Sequence, residues 1–457
     1  MTAVLWLRRD LRRGDQPALH EAAADGPVVP LFVIDPQLWQ QAGPVRQAWL
    51  AANVLAADHA YDGHLCVRMG RPEAVVAQVA AQSDARRIHV SRETTPTGVR
   101  RDARVRSRLA EQDVALIETG TPYAVGPGLI RTKAGEPYQV FTPFSRAWRE
   151  HGWPAPAPAP HRLNLGSAES DSDAHGLLQQ ARKACPILLP VAGEEAAQTR
   201  WRQFADTHLD SYATGRDRPD LDVTSHLSAD LKTGAIHPRT MLADIGARRG
   251  DGVQRFITEL AWREFYADVL WHHPRSAWHD LRPALGGLSY DDPNESAVDV
   301  EAWKHGRTGF PFVDAGMRQL AETGWMHNRV RMVTASFLTK DLHQWWPIGA
   351  RHFLAHLIDG DIASNNHGWQ WVAGTGTDAS PYFRVFNPVT QGKRVDPDGR
   401  YVRRWVPELR HLPGAAAHEP WHDPAGYDHG YPQRILDHRE ERQESLARYE
   451  AARRLHL

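Results

Sequence analysis

Residues 359–371 read Asp-Gly-Asp-Ile-Ala-Ser-Asn-Asn-His-Gly-Trp-Gln-Trp. Two carboxylates (Asp359, Asp361), two asparagine amides (Asn365, Asn366) and two indoles (Trp369, Trp371) fall in this one stretch. Few of its positions are apolar, so burial alone does not account for it. Carboxylates and amides can hydrogen-bond the edge of a polar heteroaromatic ring, and indoles can stack beside it. A second concentration of polar chemistry is Trp-Met-His-Asn-Arg-Val-Arg-Met at 325–332. On a helix, Asn328 and Met332 share a face, with Arg331 near the same side.

Three further stretches have a chemical and a structural reading side by side. Thr224, Ser225, His226, Leu227 and Ser228 offer three hydroxyls and several backbone amides just before a helix expected at 228–233. A helix start with unpaired N–H groups is an anion site, but Ser and Thr there also serve as N-caps. The run Glu259-Leu-Ala-Trp-Arg-Glu-Phe265 places Glu259, Trp262 and Arg263 on neighbouring helix faces. Its structural account is a surface ion pair using Arg263 and Glu264, with Trp262 in the core. The locally basic segment 392–404, with Lys393, Arg394, Arg400, Arg403 and Arg404, reads either as a solvated loop or as a phosphate-binding strip.

The elements that must position these residues follow from periodicity. Short apolar runs at 4–7, 28–34, 64–69, 88–90 and 114–118 alternate with amphipathic segments near 45–60, 73–83 and 99–111. That order predicts a doubly wound parallel sheet with helices on both faces. No Gly-x-Gly-x-x-Gly follows the first strand, so a dinucleotide need not sit there. Residues 153–160, Trp followed by alternating Pro and Ala, cannot form a helix. They predict an extended spacer, continued by a Ser/Asp/Ala connector to about 175. From about residue 200 the apolar spacing becomes helical, as at Phe256, Leu260, Trp262, Phe265, Val269 and Leu270. A charged amphipathic helix is expected from about 434 to 457, with no disordered tail beyond it. The expected organisation is an α/β domain over 1–130, a connector over 131–199 and an all-α domain over 200–457.

The chain has 457 residues and a net charge of −1, so any nucleic-acid contact must use a local patch. No apolar run reaches the length of a membrane span, and the N-terminus lacks the order of a signal peptide. Cys66 and Cys185 are the only cysteines, which gives neither a disulfide framework nor a zinc pattern. A cytoplasmic protein is expected. His272-His273 reads as a helix end, no metal site is implied, and no Ser/His/Asp constellation suggests hydrolysis.

Together, segments 325–332 and 359–371 resemble the flavin and DNA-lesion site of the photolyase/cryptochrome family, closest to the class I cyclobutane pyrimidine dimer photolyases. The N-terminal Trp6-Leu-Arg-Arg-Asp-Leu-Arg12 is similar to a signature of the same family. The resemblance covers nearly the whole chain and implies an α/β antenna-type domain followed by a helical FAD- and lesion-binding catalytic domain. It implies light-driven repair of pyrimidine dimers in DNA by electron transfer from excited reduced FAD, in a monomer with no obligate protein partner.

Site roles carried over by the resemblance are these. Tyr212, Phe256, Arg263, Gly360 and the 224–228 segment hold FAD, the hydroxyls taking its diphosphate. Arg331 pairs with Asp359 beside the flavin, Asp361 joins the ring-edge network, and Asn365 faces flavin N5. Glu259 and Asn328 contact both flavin and lesion, Met332 lines the pocket, and Trp262 and Trp371 stack on the flipped bases. Trp369 and Trp346 begin an electron relay. Its third position aligns with Pro293, leaving Tyr290 and Trp303 as nearby substitutes. Arg329, Arg384, Gln391, Lys393, Arg394 and Arg400 face DNA phosphates. Gly98 stands where folate-binding members carry a Glu. A deazaflavin or FMN antenna, touching Arg46 and Asp102, is therefore expected over folate, with an empty antenna site as the alternative. A (6-4) photolyase would carry His where Asn328 and Met332 stand, and both are absent here. Asn365, and the absence of a tail, weigh against a cryptochrome-like photoreceptor.

Overall fold

The computed structural model describes residues 2–160, 162–282, 287–377 and 383–454. The chain forms two compact units. The first comprises Met1–Asp210, Ser225–Pro274 and Ile358–Gly360, and the second Ser211–Thr224, Arg275–Leu357 and Asp361–Leu457.

In the first unit, strands β1 (Ala3–Leu7), β2 (Val28–Ile34), β3 (Cys66–Met69), β4 (Arg87–Val90) and β5 (Ala115–Glu118) form one sheet. All pairings are parallel and the order is β3-β2-β1-β4-β5. Successive side chains point to opposite faces. Leu5, Leu7, Phe32 and Ile34 pack with Leu19, Val54 and Leu178 on one face. Val4, Trp6, Leu31 and Val33 pack with Val76, Val79, Val105 and Leu109 on the other. Burying each such side chain contributes about 1.5–3 kcal/mol relative to exposure. Helices Pro44–Ala60, Pro72–Gln82 and Pro96–Ala110 begin one to three residues before their expected starts. In each, a proline occupies the first turn, where its missing N–H costs nothing.

The stretch expected to be a connector is more regular than its composition suggests. Helices Phe141–His151, Ser172–Lys183 and Glu194–Thr207 lie wholly or partly within it. Residues 153–160 have no regular structure. The intervening chain covers the sheet edge: Val28 N donates to Asn164 O at 2.8 Å, and Asp171 N donates to Val67 O at 2.9 Å. Covering an edge strand in this way satisfies backbone groups that would otherwise be open to another chain.

The second unit is helical. Helices Pro311–Thr323, Asn328–Ser336, Trp346–His356, Ile362–Ala373 and Arg400–Trp405 surround a core containing Trp303, Phe310, Phe337, Trp346, Phe353, Trp369 and Tyr401. Gly324 and Gly374 end two of these helices at φ of +65° and +87°, a left-handed turn that glycine adopts freely. The C-terminal helix is His438–Arg454. It starts later than the expected 434 because the Asp437 carboxylate accepts from Arg439 N at 2.8 Å and caps it there. Residues 455–457 of the expected helix lie outside the described residues. No helix among the described residues is long and apolar enough to cross a membrane.

Candidate active site

In the first unit, Phe256, Glu259, Trp262 and Arg263 all lie on the helix Asp251–His272. Phe256 is buried and stacks on Trp201 at 5.2 Å. Trp262 is half-buried and has one face covered by Phe141, with ring centroids 3.6 Å apart and planes 7° from parallel. Phe265 and Tyr266 lie 5.8 and 5.4 Å from the same ring. Arg263 donates to the carbonyls of Pro122 (2.9 Å) and Leu231 (3.1 Å) and lies 4.3 Å over the Tyr123 ring.

The structure corrects the surface ion pair expected of Arg263 and Glu264. Glu264 is 3% exposed and accepts from the backbone N–H groups of Ala124 (2.5 Å), Val125 (3.2 Å) and Gly126 (3.1 Å) and from the Trp148 indole (2.9 Å). It anchors the 124–126 turn to the helix. Burial pushes its carboxyl up from the ordinary range, against the pull of these donors.

The 224–228 hydroxyls do not cap the helix Ser228–Thr233. Leu227 is its N-cap and provides no side-chain bond. Ser225 Oγ accepts only a long 3.5 Å contact from Leu227 N. Thr224 Oγ1 is buried without a hydrogen-bond partner among the described residues. His226 is held at φ +52°, a conformation uncommon outside glycine. Asp359 and Gly360 of the first unit are both buried.

In the second unit, Asn328 opens the helix Asn328–Ser336, whose N-cap is the His327 ring accepting from Arg329 N at 3.2 Å. Asn328 is exposed, and Met332 follows one turn later. Arg331 Nε donates to Met326 O at 2.7 Å, while Arg329 pairs with Asp217 at 2.7 Å. Tyr212 is buried.

Asp361 caps the helix Ile362–Ala373, its Oδ1 accepting from Ala363 N (3.0 Å) and Ser364 N (3.1 Å). One turn on, Asn365 Nδ2 donates to Ala350 O (3.2 Å) and to Asn366 Oδ1 (2.8 Å). A backbone carbonyl only accepts, so Ala350 fixes which end of the amide faces it. Asn365 therefore presents Oδ1 as an acceptor with no partner among the described residues. Asn366, fully buried, is fixed in turn by donating to Ala277 O. His367 and Gln370 tie the same helix to 276–281: Ser276 Oγ lies 2.9 Å from His367 Nε2, Gln370 Nε2 donates to Ser276 O (2.7 Å), and Leu281 N donates to Gln370 Oε1 (2.9 Å). Sequence reasoning did not assign these supporting roles to Asn366, His367 and Gln370.

Trp369 is buried and its indole N–H has no partner among the described residues. Trp346 Nε1 donates to Asp280 Oδ1 at 2.7 Å. Trp371 is half-buried against the same core. In the basic segment, Lys393 pairs with Glu419, and Arg400 lies 3.7 Å from Asp398. Arg394 contacts only the neutral Gln391 (2.7 Å), and exposed Arg384 has no side-chain partner among the described residues. Among the described residues, Arg384 and Arg394 thus have no internal counter-charge.

At the carboxyl ends of β1 and β4, Asp102 pairs with Arg8 (2.6 Å) and Arg101 (2.8 Å). Glu93 lies 3.8 Å from Arg9 and 3.9 Å from Arg101. A Cβ at Gly98 would stand 1.9 Å from Glu93 Cγ, so Glu93 fills the space that a side chain there would need. Arg46 is half-buried with no partner among the described residues, and burial lowers its pKa.

The sequence model described as "FAD binding domain of DNA photolyase" matches residues 256–451, and that described as "DNA photolyase" matches 3–161. The deoxyribodipyrimidine photo-lyase of Salmonella typhimurium is 39% identical over 99% of both chains. The chain belongs to the photolyase/cryptochrome family. A solved class III photolyase from Agrobacterium tumefaciens superposes with a TM-score of 0.89 at 33% identity, covering 99% of this chain and 98% of that one. A Sulfolobus tokodaii photolyase solved with two FAD molecules gives 0.84 at 28% identity, covering 99% and 100%. The residues present fit the flavin nucleotide of this family. The Thr224 hydroxyl is buried and unspent, the Ser228–Thr233 helix start lacks a side-chain cap, and Asn365 offers a fixed acceptor.

Proposed function

We propose that this protein repairs cyclobutane pyrimidine dimers in DNA under blue or near-ultraviolet light with reduced FAD as its cofactor. The observation that carries this reading is end-to-end kinship with enzymes named deoxyribodipyrimidine photo-lyase. Bound reduced FAD supplies the electron that opens the cyclobutane ring and receives it back, so no net redox change occurs.

The protein's own residues bind, orient and exclude water. Thr224, Ser225, His226, Leu227 and Ser228 take the diphosphate through hydroxyls and amides, with Tyr212, Phe256, Arg263 and Gly360 around the rest of the nucleotide. Arg331, Asp359 and Asp361 bond the flavin edge. Asn365 would face flavin N5 with its Oδ1, offering an acceptor and no proton to donate. Its orientation supports this role, because Ala350 and Asn366 occupy its amide hydrogens. Glu259 and Asn328 hydrogen-bond the flipped dimer. Trp262 and Trp371 each stack on the flipped bases, and Met332 contacts the lesion. Such stacking contributes roughly 1–3 kcal/mol per base, and a dimer costs less to extrude than paired bases. Arg384 and Arg394, with Arg329, Gln391, Lys393 and Arg400, contact phosphates without reading sequence.

In the first unit, the half-buried Arg46 and the space taken by Glu93 favour a deazaflavin or FMN antenna over folate. The protein acts as a cytoplasmic monomer. Binding to a duplex with one thymine dimer, compared with the same undamaged duplex in the dark, tests the assignment. The reading requires selective binding to the damaged duplex, and equal affinity for both would end it.

A further inference from the structure

Trp346, Gly349 and Phe353 occupy one face of the helix Trp346–His356. Trp369 packs edge-on to Phe353 with ring centroids 4.9 Å apart. The benzo edge of Trp369 lies against Gly349, where a Cβ would stand 2.1 Å from its Cη2. Gly349 is one turn from Trp346, and the missing side chain at 349 is what lets the Trp369 indole reach that turn. Trp346 is fully buried and so cannot meet a soluble reductant itself.

Three aromatic residues could follow it. Trp303 lies 6.1 Å from Trp369, but it is fully buried with its N–H on Thr334 O at 3.0 Å. An electron vacancy there lies out of reach of a reductant in solution. Tyr290 has a buried hydroxyl with no hydrogen-bond partner among the described residues. An oxidised phenol must shed its proton, and no group among the described residues accepts this one by a hydrogen bond. Trp345 differs from both. Its ring centroid is 6.4 Å from that of Trp346, and it is only partly buried, so one of its edges borders solvent.

We propose that Trp345 is the outer member of the electron relay, in the order Trp369, Trp346, Trp345. This rests on the reading of Trp369 and Trp346 as relay residues. In each light-driven step one electron leaves Trp369 for the flavin, Trp346 refills Trp369, and Trp345 refills Trp346. Trp345 releases its indole proton to solvent, and a thiol reductant in solution restores it by giving up one electron and one proton. The Asp280 carboxylate at the Trp346 N–H lowers the cost of a positive charge passing through that ring.

The test uses FAD-loaded protein under blue light with a thiol donor. Flavin reduction is followed by absorbance. A parallel sample with a nitroso spin trap is mapped by peptide mass spectrometry. Trp345→Phe should slow photoreduction several-fold with bound flavin unchanged, and the wild-type adduct should sit on Trp345. Tyr290→Phe should behave as wild type. If Trp346→Phe photoreduces normally, the relay reading itself falls. If Trp346→Phe is impaired while Trp345→Phe is normal, or the adduct maps to Tyr290, the assignment of Trp345 is overturned and the relay stands.

Discussion

Glu93 offers a stability prediction whose sign and size come from its surroundings. Burial alone would push its carboxyl up, but Arg9, Arg101 and Arg8 outweigh it and hold the pKa down to about 2, from 4.5. Thr94 N and Thr95 N add hydrogen bonds of 2.7 and 3.0 Å. A depressed carboxylate stabilises the fold above its unfolded pKa, and that contribution is lost as pH falls through the folded value. At about 1.36 kcal/mol per pH unit, the ionised group contributes roughly 3 kcal/mol at neutral pH. Glu93→Gln keeps the shape and removes the charge. Amide hydrogen exchange of peptides from β1 and β4 reports this region without requiring whole-chain unfolding. Protection should drop by roughly 100-fold at pH 7. The difference from wild type should narrow steadily between about pH 5 and pH 2. An equal loss at pH 7 and pH 3 would mean that packing, not charge, is what Glu93 supplies. No loss at pH 7 would refute the electrostatic argument outright.

Glu264→Ala leaves three backbone amides and the Trp148 indole without their acceptor. It should destabilise the protein by at least about 3 kcal/mol, seen as a large drop in Tm. Asn366→Ala removes the shorter of the two bonds that hold the Asn365 amide, leaving only the 3.2 Å bond to Ala350 O. It should speed air oxidation of bound reduced flavin while FAD remains bound, as followed by the visible spectrum. Arg394→Ala should weaken DNA binding equally across sequences and reduce the log–log salt slope by about 1. An unchanged slope would remove it from the phosphate strip.

The fold was legible where local rules decide. Val28–Ile34 and Ser228–Thr233 match their expected bounds because each is set by an apolar run or by Gly234 at its end. Segment 131–199 was read as connector because its Pro, Ala, Ser and Asp content hides short amphipathic helices. The support of the site was less legible, since its partners are remote and often backbone. Glu264 meets amides 138–140 residues away, and the Asn366 orientation depends on a carbonyl 89 residues away. Neither has a sequence signature. Nothing in the sequence separates Trp345 from Trp346, since adjacent identical residues do not show which one is fully buried.

Repair itself is the most direct test. Purified protein carrying reduced FAD is mixed with a thymine-dimer oligonucleotide, and absorbance near 260 nm is followed under blue light against a dark control. Light-dependent recovery of that absorbance, absent in the dark, is the predicted result. Reduced, FAD-loaded protein that binds the oligonucleotide yet gives no recovery in light would contradict the assignment of dimer repair.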